Sequence, residues 1–337
     1  MKINLFIITI ISTILVYSVN ASNTNLINST KKLSKKLIQP EFLKKGDTIA
    51  LVAPAGILNN FENKIDIAKK IFEGWGLNVI IGDNIYNRNG HFAGTDKERI
   101  KDLQKVLDNK SIKAIWCVRG GYGTIRIIDH LNFEKFSKNP KWIIGFSDIT
   151  VLHNKLNIMG YESIHGMMIS NIDEIKADHK SLIKLKSTLF GDDLNYVIKS
   201  NKENKIGKSN GIITGGNLTL IHSTIGSNIE ISTNNKILFF EEIGEHIYKI
   251  DRMLYTLKRA GYFDECKGLI IGQISDIKTN STEFGMTINE LILDLLKEYN
   301  FPIIFDFPAG HEIDNYPIIL GRNINIKVKK SKTEVKF

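Results

Sequence analysis

The run Trp142-Ile143-Ile144-Gly145-Phe146-Ser147-Asp148-Ile149-Thr150 begins as an apolar strand, stops at a small residue, and presents a serine where a helix starts. A serine on such a strand-to-helix turn has an exposed hydroxyl, with the free N–H groups and positive dipole end of the helix beside it. That geometry suits a nucleophile. Serine and aspartate are equally at home as plain helix N-caps, so this segment alone leaves both readings open.

Around it the chain alternates regularly. Short apolar runs at 48–53, 79–82, 113–118, 142–145 and 163–164 read as strands, and 61–75, 96–107 and 149–159 carry apolar residues at helical spacing. Strand–helix alternation predicts a mostly parallel sheet covered by helices, whose ligand site lies beyond the carboxyl ends of the strands. A polar, helix-bearing connection follows over 170–206. A second pattern then begins: a glycine-rich stretch at 207–216, strands at 236–240, 267–274 and 302–307, helices at 248–260 and 287–299, and one or two further strands in 318–337. The expectation is an amino-terminal α/β domain over 46–169 that carries the serine, a connection over 170–206, and a smaller mixed α/β domain over 207–337.

The 337 residues, 42% hydrophobic and 24% charged, suffice for two such domains. Met1-Lys2, the apolar run from Leu5 to Val19 and the small residues at Val19-Asn20-Ala21 predict a signal peptide over 1–21, followed by a flexible polar segment over 22–45. The chain is thus expected to be exported, to the periplasm, with an uncleaved anchor or a cytoplasmic location as alternatives. Cys117 and Cys266 both sit beside apolar strands and read as core residues. The formal charge of +9 comes from lysines spread along the whole chain. It favours acidic surroundings such as a cell-wall polymer or anionic lipid, and no zinc-finger spacing, helix-turn-helix or RNP-like pattern points to nucleic acid.

Four strand ends of the first domain carry unusual residues: Pro54-Ala55-Gly56, Arg119-Gly120-Gly121-Tyr122-Gly123, Ser147-Asp148 and His165-Gly166. In a parallel sheet all four gather at one edge. The glycine run lacks the Lys-Ser or Lys-Thr of a phosphate loop; its glycines let backbone N–H groups approach a substrate closely, as an oxyanion hole requires. A serine nucleophile needs a base, and an imidazole needs a carboxylate to hold its tautomer. His311, in the loop Ala309-Gly310-His311 after a strand, is the candidate base. Glu241, at the tip of Ile237-Leu238-Phe239-Phe240, is the candidate carboxylate, with Glu242 and Glu245 as competitors. His153, His165 and His222 read as structural.

Taken in order, Val52-Ala53-Pro54-Ala55-Gly56, Arg119 to Gly123, Gly145 to Thr150, His165-Gly166, Gly215-Gly216-Asn217-Leu218, Phe240-Glu241 with Tyr248 and Asp251-Arg252, and Gly310-His311 resemble the LD-carboxypeptidase family of serine peptidases, which also contains the microcin C immunity proteins. The resemblance spans roughly residues 45–328. It implies a flavodoxin-like amino-terminal domain, a smaller carboxy-terminal domain, a homodimer, and a Ser147–His311–Glu241 triad with oxyanion donors at Gly121 and Asp148. It also implies hydrolysis without metal or cofactor, releasing the terminal D-alanine of a murein tetrapeptide. A substrate ending in a carboxylate needs a cation, for which Arg119 and Arg252 are candidates, with Tyr122 as a further contact. A microcin-type amidase acting on peptidyl or aminoacyl nucleotides, and a catalytically silent exported cell-wall-peptide binder, are the alternatives. Many relatives act in the cytoplasm, and the leader sets this chain apart from them.

Overall fold

The computed structural model describes residues 37–279 and 281–337, the side chain of Phe61 excepted. The leader and its cleavage site, with most of the polar segment that follows, lie outside the described residues. In chain order the elements are β1 (Thr48–Val52), α1 (Phe61–Gly74), β2 (Asn78–Ile81), α2 (Asp96–Asp108), β3 (Ile112–Cys117), α3 (Glu134–Lys138), β4 (Trp142–Gly145), α4 (Thr150–Met159), β5 (Ser163–His165), α5 (Lys180–Phe190), β6 (Asn195–Lys199) and β7 (Gly207–Asn217). They continue with α6 (Leu218–Ser223), β8 (Lys236–Ile243), α7 (Ile247–Arg259), β9 (Gly268–Ser275), α8 (Ile288–Leu295), β10 (Ile303–Ile304), β11 (Ile318–Leu320), β12 (Asn323–Val328) and β13 (Lys332–Lys336).

The first sheet has the order β11-β5-β4-β3-β1-β2. Its five amino-terminal strands are parallel and follow the flavodoxin-like order 2-1-3-4-5, so the topological switch point falls between β1 and β3. The central strands read as continuous apolar runs because helices cover both faces. Along β3, Ala114 and Trp116 enter the core on one face while Ile115 and Cys117 enter the core on the other, as the two-residue period of a strand requires. Both cysteines are buried and reduced, and burial pushes the Cys117 thiol far above its ordinary range.

The second sheet runs β10-β9-β8-β7-β12-β13-β6, parallel from β10 to β7 and antiparallel beyond. Against it packs α7, whose buried Ile250, Met253, Leu254 and Leu257 recur at the spacing of one helix face. Two elements bind the halves more closely than a linear division of the chain suggests. β6, from the connection, forms the outer edge of the second sheet, and β11, from the carboxy-terminal region, pairs antiparallel with β5 in the first. The core is correspondingly continuous: Trp116 and Ile164 of the first sheet share a cluster with Ile213, Phe239 and Ile270 of the second. The junction depends on Gly216, at φ +145°, where a Cβ would stand 2.5 Å from Thr150 Oγ1. The close approach lets the next residue, Asn217, donate its N–H to that hydroxyl at 2.9 Å. The start of α4 is thereby fixed to the end of β7.

Candidate active site

Ser147 follows the carboxyl end of β4 and opens a single 3-10 turn that runs into α4. Its φ is +59°, a left-handed conformation that costs a non-glycine residue on the order of 1–3 kcal/mol. The strain turns the hydroxyl out of the sheet edge, where a plain N-cap would have extended backbone. Asp148, second in the turn, has no preceding turn to accept its N–H. Its side chain is buried and accepts from Thr124 N–H at 2.8 Å, and burial raises its pKa above the ordinary carboxylate range.

The glycine loop after β3 lies directly against this turn. A Cβ on Gly120 would stand 3.0 Å from Ser147 Cβ and 3.2 Å from the Asp148 nitrogen, so a larger residue would press the Ser147 turn out of place. The Gly120 carbonyl accepts from Gly56 N–H at 2.9 Å, in the loop after β1. Since the peptide is trans, the Gly121 N–H points the opposite way, from the β1 side of β3 toward the β4 side where Ser147 stands. Arg99 fastens the two loops together. Its buried guanidinium donates to the Pro54 carbonyl at 2.6 Å and the Gly123 carbonyl at 2.9 Å, and pairs with Asp96.

The other half of the site comes from the second sheet. β8 delivers Glu241, and the loop after β10 delivers His311, whose Nδ1 lies 2.7 Å from Glu241 Oε2. Glu241 is fully buried, and its Oε1 takes no hydrogen bond among the described residues, which leaves the carboxylate directed at the imidazole alone. Glu242 faces elsewhere: it accepts from Thr219 N–H at 2.8 Å, Thr219 Oγ1 at 2.6 Å and Asn217 Nδ2 at 3.1 Å. Burial lifts its pKa, partly opposed by those donors. Alternation along the strand thus separates the neighbouring glutamates. Gln273 on β9 shapes the His311 loop by donating to the Asp314 carbonyl at 2.9 Å.

Burial is the largest single influence on His311 and pulls its pKa down. The charge and hydrogen bond of Glu241, with Glu242 and Asp276 further off, more than offset it, and His311 titrates above the ordinary histidine range. Its ring meets Phe146, the residue before Ser147, edge to face with centroids 4.7 Å apart. The two halves of the site therefore meet across one aromatic contact. Beneath it, His165 and His153 are fully buried and held neutral, burial pushing His153 down to about 4 and His165 well below its usual value.

The remaining residues singled out from the sequence are more scattered. Arg119 is half-buried and donates to the Ile57 carbonyl. Tyr122 is exposed beside Phe92. Arg252 stands on the exposed side of α7, its guanidinium 5.4 Å from the centre of the Tyr248 ring. No contact among the described residues joins Arg252 to Ser147, Glu241 or His311. Residues that the sequence reading missed are Arg99, Thr150 and Gln273, which hold loops rather than reacting groups. The capping box of Thr95 and Glu98 that starts α2 was a local signal for the first. Among the described residues no cluster of histidine, cysteine or carboxylate side chains could hold a metal ion.

Comparison with known proteins places this geometry. The LD-carboxypeptidase N-terminal domain family matches residues 49–166, and the LD-carboxypeptidase C-terminal domain family matches residues 210–326. A Bacillus subtilis protein named "Probable murein peptide carboxypeptidase" is 34% identical over 291 residues, covering 84% of this chain and 89% of the relative. The murein tetrapeptide carboxypeptidase of Pseudomonas aeruginosa is 25% identical, covering 79% of this chain and 89% of its own. Among solved structures, the muramoyltetrapeptide carboxypeptidase from Oxalobacter formigenes superposes with a TM-score of 0.76 at 26% identity, over 86% of this chain and 98% of that one. The microcin C7 self-immunity protein MccF, solved with aspartyl sulfamoyl adenosine, shares the fold at a TM-score of 0.77 and 20% identity, over 89% and 98% of the two chains.

Proposed function

Because the chain belongs to the LD-carboxypeptidase family of serine peptidases, we propose that it removes the terminal D-alanine from murein tetrapeptides, with Ser147 as nucleophile, His311 as general base and Glu241 as the carboxylate that orients and stabilises the base. The observation that carries the reading is the 2.7 Å pairing of His311 Nδ1 with buried Glu241 Oε2, next to a serine held at positive φ under a glycine loop. The pairing fixes the tautomer: the proton sits on Nδ1, and Nε2 is left as the base.

In this mechanism His311 takes the Ser147 proton as the hydroxyl attacks the scissile carbonyl. The N–H groups of Gly121 and Asp148 receive the negative charge that develops on the carbonyl oxygen, each donor contributing on the order of 3 kcal/mol. Collapse expels D-alanine, protonated at its amine by His311, and leaves the peptide esterified to Ser147. Water, deprotonated by the same imidazole, then resolves the ester. Arg119 is the cation we assign to the terminal carboxylate, since it stands at the root of the glycine loop; Arg252 has no such support. Export and a homodimeric assembly complete the proposal, on the leader at 1–21 and on the family resemblance respectively.

Incubation of the chain from Ser22 onward with a murein tetrapeptide, followed by mass spectrometry, tests the reading. Loss of one alanine is the expected product. Hydrolysis of an aminoacyl sulfamoyl adenosine with the tetrapeptide left intact would transfer the site to the microcin-type reaction.

A further inference from the structure

At the opposite edge of the first sheet from Ser147 lies a groove that the chemistry above does not use. It is formed where the segment before β1, the end of α1 and the outer face of α5 meet, and has a volume of about 760 Å³. Leu43, Leu182 and Phe190 supply apolar lining, with Trp75 half-buried and Ile183 49% exposed. Its rim carries Lys44, Lys45 and Lys186 against a single acid, Asp192. The three lysines are exposed, and none belongs to an ion pair among the described residues. The Lys186 ammonium stands 5.9 Å from the centre of the Trp75 ring, which places charge and aromatic surface side by side.

We propose that this groove docks the protein on an anionic bilayer surface, the indole and Ile183 entering the headgroup layer while the lysines meet lipid phosphates. Three observations select that occupant. An interfacial tryptophan with flanking lysines combines the two attractions that hold a peripheral protein to a charged membrane. A second copy of this chain would bring the same lysines against one another, and like charges in a closing interface disfavour it. A nucleic acid would match the charge but leave the apolar floor without a partner, since phosphate contacts are polar. Orientation agrees as well. The groove lies at the amino ends of β1 and β2, whereas Ser147 and His311 follow carboxyl ends of strands and Glu241 lies near the carboxyl end of β8, so docking turns the reacting edge away from the bilayer.

The intrinsic fluorescence makes the test specific, because Trp116 and Trp142 are fully buried and Trp75 is not. The chain from Ser22 onward, which retains the whole compact unit of residues 37–337, is mixed with vesicles of phosphatidylcholine alone or of equal parts phosphatidylcholine and phosphatidylglycerol. The expected result is co-sedimentation with the anionic vesicles only, weakened by salt, with Trp75 quenched by brominated acyl chains. Lys44→Glu, Lys45→Glu and Lys186→Glu together should lower partitioning at least about 100-fold, at roughly fivefold per lysine, with hydrolysis of a soluble tetrapeptide unchanged. Trp75→Phe should abolish the quenching while the variant still sediments. Failure to bind at low salt would overturn the proposal. So would binding without Trp75 quenching, equal binding to both vesicles, or a charge reversal that instead changes the oligomeric state.

Discussion

Replacing Glu241 by glutamine removes one charge from the His311 pair and almost no volume. At the effective dielectric that describes protein sites, two unit charges about 4 Å apart attract by about 4 kcal/mol, and the carboxylate and imidazolium here are joined by a 2.7 Å hydrogen bond. That stabilisation exists only when His311 carries the proton taken from Ser147, so it acts on the transition state. Its loss corresponds to about 10³ in turnover, and the wrong tautomer that a glutamine amide could impose raises the loss toward 10⁴. Substrate affinity should change little. The acid limb of the pH–rate profile should also move. His311 must be neutral to act as base, so activity falls as pH drops through its pKa, which in the native protein lies above the ordinary histidine value because of Glu241. With that charge gone, burial prevails and the limb shifts to lower pH. Glu242→Gln provides the control: its carboxylate holds Thr219 and Asn217. Placing an amide NH₂ among those donors should cost about 1–3 kcal/mol of stability with turnover nearly intact. Steady-state kinetics from pH 5 to 9 and urea unfolding of both variants decide the matter. A crippled Glu242→Gln beside a nearly silent Glu241→Gln would refute the assignment of the pair.

Further outcomes follow from the same contacts. Ser147→Gly should abolish hydrolysis yet raise the melting temperature by a few degrees, because glycine adopts φ +59° without strain; calorimetry checks this. Gly120→Ala should reduce kcat at least about 100-fold, since the added methyl meets Ser147 Cβ at 3.0 Å beside the oxyanion donors. His153 is buried neutral with its pKa near 4, against about 6.5 in the unfolded chain. Below pH 6.5 the unfolded state therefore binds a proton that the folded state refuses, and stability is lost as pH falls from about 6.5 toward 4. At pH 5 the loss attributable to this residue is about 2 kcal/mol, so urea unfolding of His153→Gln should show a stability difference between pH 7 and pH 5 that is smaller by that amount.

Much of the candidate site was legible in the sequence as local pieces, because each has a local signature. A strand ending at Gly145 before Ser147-Asp148, a glycine run after β3 and a glutamate after Ile237 to Phe240, which the structure places inside a β8 that runs on to Ile243, are read within a few residues, and parallel topology carries them toward common edges. The long-range closures were not legible. Ile318–Leu320 is three apolar residues, and nothing in so short a run says that it pairs with β5 rather than with strands of the second sheet. Asn195–Lys199 holds only three apolar residues, Tyr196 to Ile198, inside a polar connection, and became an edge strand only because β13 offered it a partner. Glycines 215 and 216 were legible only as part of a glycine-rich stretch; in the fold they allow the close approach of β7 to β8 and α4. Arg99 was hidden for a related reason: the capping box marks where α2 starts, but nothing local says that this arginine, on the buried helix face with Leu103 and Val106, fastens two loops from distant strands.

Ser147 stands in this mechanism as the nucleophile of a serine carboxypeptidase. Its most direct test is covalent labelling with a serine-reactive fluorophosphonate, followed by peptide mapping. One equivalent of adduct on Ser147, loss of D-alanine release in step with labelling, and protection by murein tetrapeptide are expected. An adduct on a different residue, or D-alanine release that continues undiminished once Ser147 is fully modified, would contradict it.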